Sequence, residues 1–189
     1  MRDQLVFAVQ SFFLNGRLQK DFNKKGAHNF NHFRPIGLCN VSYKVILKII
    51  INRLRPLLDK MVDPAQVAFV PNRWINENIV LAHEIVHSFK HIGKKKGFHG
   101  IKLDFQKAYD RMEWSFLLEV LRAFGFSDSF VNLIHQCLSS IEFSLLLNGS
   151  QCPSFSPSRG LRQGDPISPY LFILDSEVLL RLINREVDQ

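Results

Sequence analysis

Two short segments limit what this 189-residue chain can fold into. Residues 98–104 alternate in type, which puts Ile101 and Leu103 on one face of an extended backbone and Lys102 and Asp104 on the other. This pattern predicts a strand that delivers Asp104 at its end. The stretch Lys102-Leu-Asp-Phe-Gln-Lys-Ala-Tyr-Asp-Arg111 then supplies an aromatic, Tyr109, and a second acid, Asp110. The second segment, Gly160-Leu-Arg-Gln-Gly-Asp-Pro-Ile-Ser-Pro169, sets a Gln163-Gly164 turn between arginines and a helix start. Ser168-Pro169 there combines an N-cap residue with a first-turn proline.

Helical signals surround both segments. A helix is predicted over 41–58, where Val45, Ile49, Ile46 and Ile50 recur at helical spacing and Leu54, Leu57 and Leu58 extend the stripe. Lys44, Lys48, Asn52 and Arg55 share another face, and Pro56 is expected to kink or end the helix. A second helix is predicted over 75–89, with Ile75, Ile79, Ala82 and Val86 facing inward. Further helices are expected over 112–124, closed by Gly125, and after Ser127 or Asp128, which would cap it. Another is expected over 170–183. Ile141, Phe143, Leu145 and Leu147 alternate ahead of Asn148-Gly149, a hairpin signal. Residues 5–14 read as an apolar helix, 17–32 as a basic loop, and 93–97 as a basic turn. The class is α+β.

Composition narrows the setting. An apolar fraction of 46% with 17 phenylalanines argues for a packed core. The net charge of +7 favours a polyanionic partner through phosphate neutralisation and counterion release. Three scattered cysteines, Cys39, Cys137 and Cys152, make neither a disulfide framework nor a cysteine-rich zinc site. With no membrane-length apolar run and no leader pattern, a soluble, intracellular protein is expected.

Asp104 carries the clearest chemistry. Phosphoryl and nucleotidyl transfer build negative charge on attacking and departing oxygens, and carboxylate-held divalent cations offset it. An acid at the end of an apolar strand suits that work, although Asp104 and Asp110 would equally serve as helix caps.

The stretches Phe33-Arg-Pro-Ile-Gly-Leu-Cys-Asn-Val-Ser-Tyr-Lys44, Gln66-Val-Ala-Phe-Val-Pro-Asn-Arg73, Lys102 to Trp114 and Ser156 to Phe172 resemble, in order, the reverse transcriptase domain of non-LTR (LINE-type) retrotransposons, especially the plant kind. The resemblance implies an RNA-directed DNA polymerase of right-hand architecture, in part: fingers plus the first part of a palm, with helices packed on a small antiparallel sheet. Residues 33–97 would be fingers-like and 98–189 a partial palm. Residues 1–32 would form an N-terminal helix and basic loop from which a family strand is missing.

By the same resemblance Asp104 is a catalytic, Mg²⁺-binding aspartate. Tyr109 crowds the incoming sugar, Gln163 and Gly164 lie against the nascent base pair, and Arg34 contacts the triphosphate. Arg159 and Arg162 would steer template phosphates. The implied partners are an RNA template, a DNA primer and deoxynucleoside triphosphates, and a nuclear location is compatible. The family's aromatic-Ala-Asp-Asp turn does not follow Gln163, so a truncated, inactive enzyme is expected, with a non-catalytic RNA- or DNA-binding remnant as the alternative.

A competing motif is His83-Glu-Ile-Val-His87, which fits the zinc metalloprotease pattern His-Glu-x-x-His, with His91 a further turn on. Its extended form is not met, because Lys90 and Gly93 occupy the places of the glycine and the third histidine.

Overall fold

A computed structural model describes residues 40–91 and 99–187, apart from 145 and 149. The elements in chain order are helix α1 (Val41–Met61), helix α2 (Ile75–His91), a 3₁₀ turn (Tyr109–Arg111), helices α3 (Trp114–Ala123) and α4 (Asp128–Ser139), strands β1 (Leu146–Leu147) and β2 (Ser150–Gln151), and helix α5 (Ser168–Val187). The described residues are mostly helical, and their strands amount to one short antiparallel hairpin. The apolar helix expected over 5–14, the basic loop of 17–32 and the turn of 93–97 lie outside the described residues.

α1 contributes one buried stripe to the core. Its buried stripe is Leu47, Ile50, Ile51, Leu54 and Leu58, a run at helical spacing. This corrects the expected stripe, since Val45, Ile46, Ile49 and Leu57 are all exposed. Pro56 lies inside the helix, which continues to Met61. Buried Leu54, Leu58 and Val62 anchor both sides of the proline, so packing outweighs the loss of one backbone donor. The same buried cluster holds Leu117 and Leu121 of α3, Val131, Ile134 and Leu138 of α4, and Leu171, Ile173 and Leu174 of α5.

Local signals set the helix ends near their expected places. Gly125, at φ +86°, closes α3, with its N–H bonded to the Arg122 carbonyl and that of Phe126 to the Leu121 carbonyl. The Ser127 hydroxyl accepts from the Phe130 N–H and caps α4. The hairpin forms at Asn148 as expected, with Leu147 opposite Ser150, and a Phe143–Phe155 bridge extends it.

Two expectations fail. α2 forms, but none of its residues is buried, and Ile75, Ile79 and Val86 are more than half exposed. Residues 99–105 form no strand. A strand exists through its ladder, and among the described residues none pairs with 101–105; Ile101 is 85% exposed and Leu103 61%. The alternation is present in the sequence, and the pairing partner is not present in the described fold.

Two polar anchors tie the ends of this core together. The Arg73 guanidinium donates to the Gln66 carbonyl at 2.8 Å and to Asp59 Oδ1 at 2.8 Å, which holds the 62–74 loop on the end of α1. Glu177, buried on α5, accepts from the Asp63 N–H at 3.0 Å and from Arg181 Nε at 3.0 Å. Arg181 also donates to the Met61 carbonyl and lies over the Phe124 ring.

One acid on α5 opposes folding. Burial pushes the Asp175 carboxyl up to about 6, and its buried Oδ1 has no hydrogen-bond partner. A folded-state value above the unfolded one means that stability is intact below pH ~4 and falls as pH rises through about 6. Asp175→Asn is therefore expected to raise the thermal midpoint at pH 7 by a few degrees, for roughly 1 kcal/mol once solvent screening of the half-buried carboxyl is discounted, and to leave it unchanged at pH 4. Melting curves at the two pH values check this, and equal shifts at both would refute the assignment.

Candidate functional site

The two segments singled out by sequence meet through their backbones. The Leu161 N–H donates to the Tyr109 carbonyl and the Gly160 N–H to the Met112 carbonyl, both at 2.7 Å. The Trp114 indole N–H donates to the Gly160 carbonyl at 2.8 Å. Gly160 sits at φ +89°, and a Cβ there would lie 3.1 Å from the Asp110 carbonyl oxygen and 3.2 Å from that of Tyr109. Only glycine permits this close crossing. Asp104 thus precedes the crossing by five residues, and Gln163 follows Leu161 by two.

Tyr109 is half-buried, with its ring 5.2 Å from that of Phe172 at the start of α5. Burial raises its phenol, which stays un-ionised at neutral pH. Gln163 and Gly164 form an exposed-to-half-buried turn, with Gly164 at φ +91°. Next to it, Asp165 is buried, and its Oδ1 accepts from the Ile167 N–H at 3.2 Å, which sets the entry to α5. The helix begins at Ser168, ahead of the expected Tyr170, and the Asp165 carboxylate rather than the Ser168 hydroxyl satisfies the entering backbone.

Tyr43 on α1 braces the turn from behind. Its hydroxyl donates to the Cys137 carbonyl at 2.9 Å and approaches Asp165 Oδ2 at 3.2 Å. Burial, then the Asp165 charge, drives the Tyr43 phenol well above its ordinary value. Burial likewise raises Asp165, opposed by the Ile167 N–H, the Tyr43 hydroxyl and Arg162. The Arg162 guanidinium lies 5.5 Å from the Tyr43 ring and 5.6 Å from the Phe143 ring. Sequence reasoning missed Tyr43, Asp165 and Phe172 as parts of this arrangement. All three lie within the quoted motif stretches, yet nothing local marks them as neighbours.

The other candidates scatter. Arg159 is exposed and pairs with exposed Glu113 at 3.3 Å. Arg34 lies outside the described residues. Asp104 is exposed, in irregular backbone. His83, Glu84 and His87 are exposed on α2, and among the described residues they join no group of three metal-ligating side chains.

Mg²⁺ finds an incomplete donor set here. Among the described residues no three His, Cys, Asp or Glu side chains group to hold a metal ion, so Asp104 belongs to no such set there. Oxygen-loving cations need several such ligands, and no catalytic step is derived through a metal. Among the described residues, no helix is long and apolar enough to cross a membrane.

The structure thus joins residues 109–114 to residues 160–161 through backbone bonds and the Trp114 indole. The sequence profile of the family described as reverse transcriptase (RNA-dependent DNA polymerase) matches residues 22–188, and the chain belongs to that family. It is 31% identical over 156 residues to a 149 kDa protein of transposon TX1 from Xenopus laevis, covering 82% of this chain and 12% of that protein. It is also 31% identical over 156 residues to the Pol polyprotein of the type-2 retrotransposable element R2DM from Drosophila melanogaster, covering 82% and 14%. An uncharacterized mitochondrial protein of Arabidopsis thaliana shares 57% identity over 44 residues, covering 23% of this chain and 36% of that one. The chain therefore spans about one-eighth of the length of the two transposon relatives. It is a reverse transcriptase domain with relatives among transposons and retrotransposable elements.

Proposed function

We propose that this chain seats the templating base pair and incoming nucleotide of an RNA-directed DNA polymerase from a non-LTR element of the plant kind. The carrying observation is the pair of 2.7 Å backbone bonds that join Tyr109 and Met112 to Leu161 and Gly160. They bring the aromatic and the Gln163-Gly164 turn onto one scaffold. The 57% match to a plant protein supports the plant assignment.

In this reading, residues 33–97 are fingers-like and 98–189 belong to the palm. Tyr109, held against Phe172, limits space at the sugar's 2′ position. Gln163 and Gly164 lie against the base pair, because a glycine at positive φ leaves the backbone open to close approach. Arg34 meets the triphosphate, and Arg159 and Arg162 neutralise template phosphates of an RNA template paired with a DNA primer. Arg162 is the better fixed of the last two, between two rings. Asp104 contributes one carboxylate toward a Mg²⁺ pair.

With one carboxylate, the charge developing at the transferred phosphate is poorly compensated. Primer extension by the purified 189-residue chain is expected to stay at background with Mg²⁺ present. Robust synthesis that disappears in Asp104→Ala would overturn that expectation. A binding remnant without turnover is the second reading, favoured by the +7 charge. It requires RNA or DNA binding that weakens steeply with salt.

A further inference from the structure

We propose that His87 and His91 form a two-histidine chelate for a borderline first-row divalent cation (Zn²⁺, Ni²⁺ or Cu²⁺) on the last turn of α2. The pair lies at helical i,i+4 spacing, on one face and fully in reach of solvent. The two Nε2 atoms stand 3.2 Å apart, with ring centroids at 4.5 Å. Zn–N bonds near 2.0–2.1 Å at a tetrahedral angle place two ligand nitrogens about 3.3 Å apart. The rings already hold that separation. Without metal, one Nε2–H donates to the other ring's lone pair; when a cation binds, that proton moves to Nδ1 of its own ring, and the two rings reorient so that both Nε2 lone pairs face the ion.

The site differs from the metalloprotease reading of the same helix. His91, and not His83, comes onto His87, and no hydrogen bond or ring contact joins His83 to His87. Glu84 donates nothing to the pair; its backbone carbonyl accepts from the Ser88 hydroxyl. Since no third protein ligand gathers among the described residues, water completes the coordination. Imidazole ligation selects these metals over Mg²⁺, and the usual affinity order ranks Cu²⁺ tightest. Because α2 buries no residue, a clip across its final turn would act on a helix with little tertiary support.

The test uses the whole chain, titrated separately with CuCl₂ and ZnCl₂ and followed by calorimetry and helical circular dichroism. One equivalent per chain is expected to bind and to raise helicity, with Cu²⁺ tighter than Zn²⁺. His87→Ala or His91→Ala should each weaken that equivalent at least tenfold, since losing even an outer partner of a ligand costs about 10–100-fold. His83→Ala should leave it intact. Unchanged binding in the His87 and His91 variants overturns the proposal, and so does loss in His83→Ala, which would restore the protease-like pair. Electron paramagnetic resonance of the wild-type Cu²⁺ complex guards against misfolded variants. Coupling to two nitrogens supports the chelate, and coupling to fewer refutes it.

Discussion

Gly160→Ala is expected to lower the thermal midpoint by about 5–10 °C, for a loss of roughly 2–3 kcal/mol. Two costs combine. A non-glycine residue at φ +89° costs roughly 1–2 kcal/mol in backbone conformation. The added Cβ also meets only backbone atoms, at 3.1 Å from the Asp110 oxygen, 3.2 Å from the Tyr109 oxygen and 3.3 Å from the Asp110 Cα. Those atoms cannot swing aside as a flexible side chain would. Relief comes from lengthening the bonds from Gly160 to Met112 and from Leu161 to Tyr109, at about 1 kcal/mol. Gly125→Ala is the control, since its φ is +86° but nothing lies within 4 Å of the added carbon. It should lose only the conformational part, about 1 kcal/mol. Equal losses in the two variants, measured by chemical denaturation, would remove the crossing from the account. Trp114 fluorescence gives a local readout, because its indole N–H bonds to the same glycine.

Glu177→Ala should destabilise by about 2–3 kcal/mol, through the contact it makes with the end of α1. The carboxylate is 4% exposed and accepts from the Asp63 N–H and from Arg181. The Arg181 side chain is 59% exposed, so its ion pair is screened and contributes little. The bond to Asp63 carries most of the effect, since its loss strands a half-buried backbone donor and leaves a void on the core side of α5. Glu177→Gln keeps an acceptor for Asp63 and should cost about 1 kcal/mol. A glutamine variant as damaging as the alanine one would assign the role to the charge and to Arg181.

Elements governed by neighbours along the chain were legible from the residues. Gly125 stops α3, Ser127 caps α4, and the hairpin turns at Asn148, because each signal acts over three or four residues. Helix faces were read less well. In α1 the apolar residues outnumber the buried ones, so spacing alone offered two stripes, and packing into the shared core selected Leu47, Ile50, Leu54 and Leu58. The alternation of 98–104 announced a strand, but pairing is a property of two segments. Glu177 lay in the apolar register of α5, three residues after Leu174, which is the trace a buried acid leaves in a sequence.

The candidate site divides in the same way. Its motif residues Tyr109, Gln163 and Gly164 were named through the resemblance of their stretches to the reverse transcriptase family. That Tyr43 stands behind Asp165, that Phe172 backs Tyr109, and that Arg162 lies between two rings came only with the fold. Tyr43 and Asp165 are 122 positions apart. Nothing in a residue's own neighbourhood encodes a contact at that separation; it arises when burial of α1 against α4 and α5 brings the two polar groups to one place. Family membership, turn chemistry and helix limits were thus written in the linear order of side chains, whereas register, burial and the braced geometry of the turn followed from which apolar surfaces could cover one another.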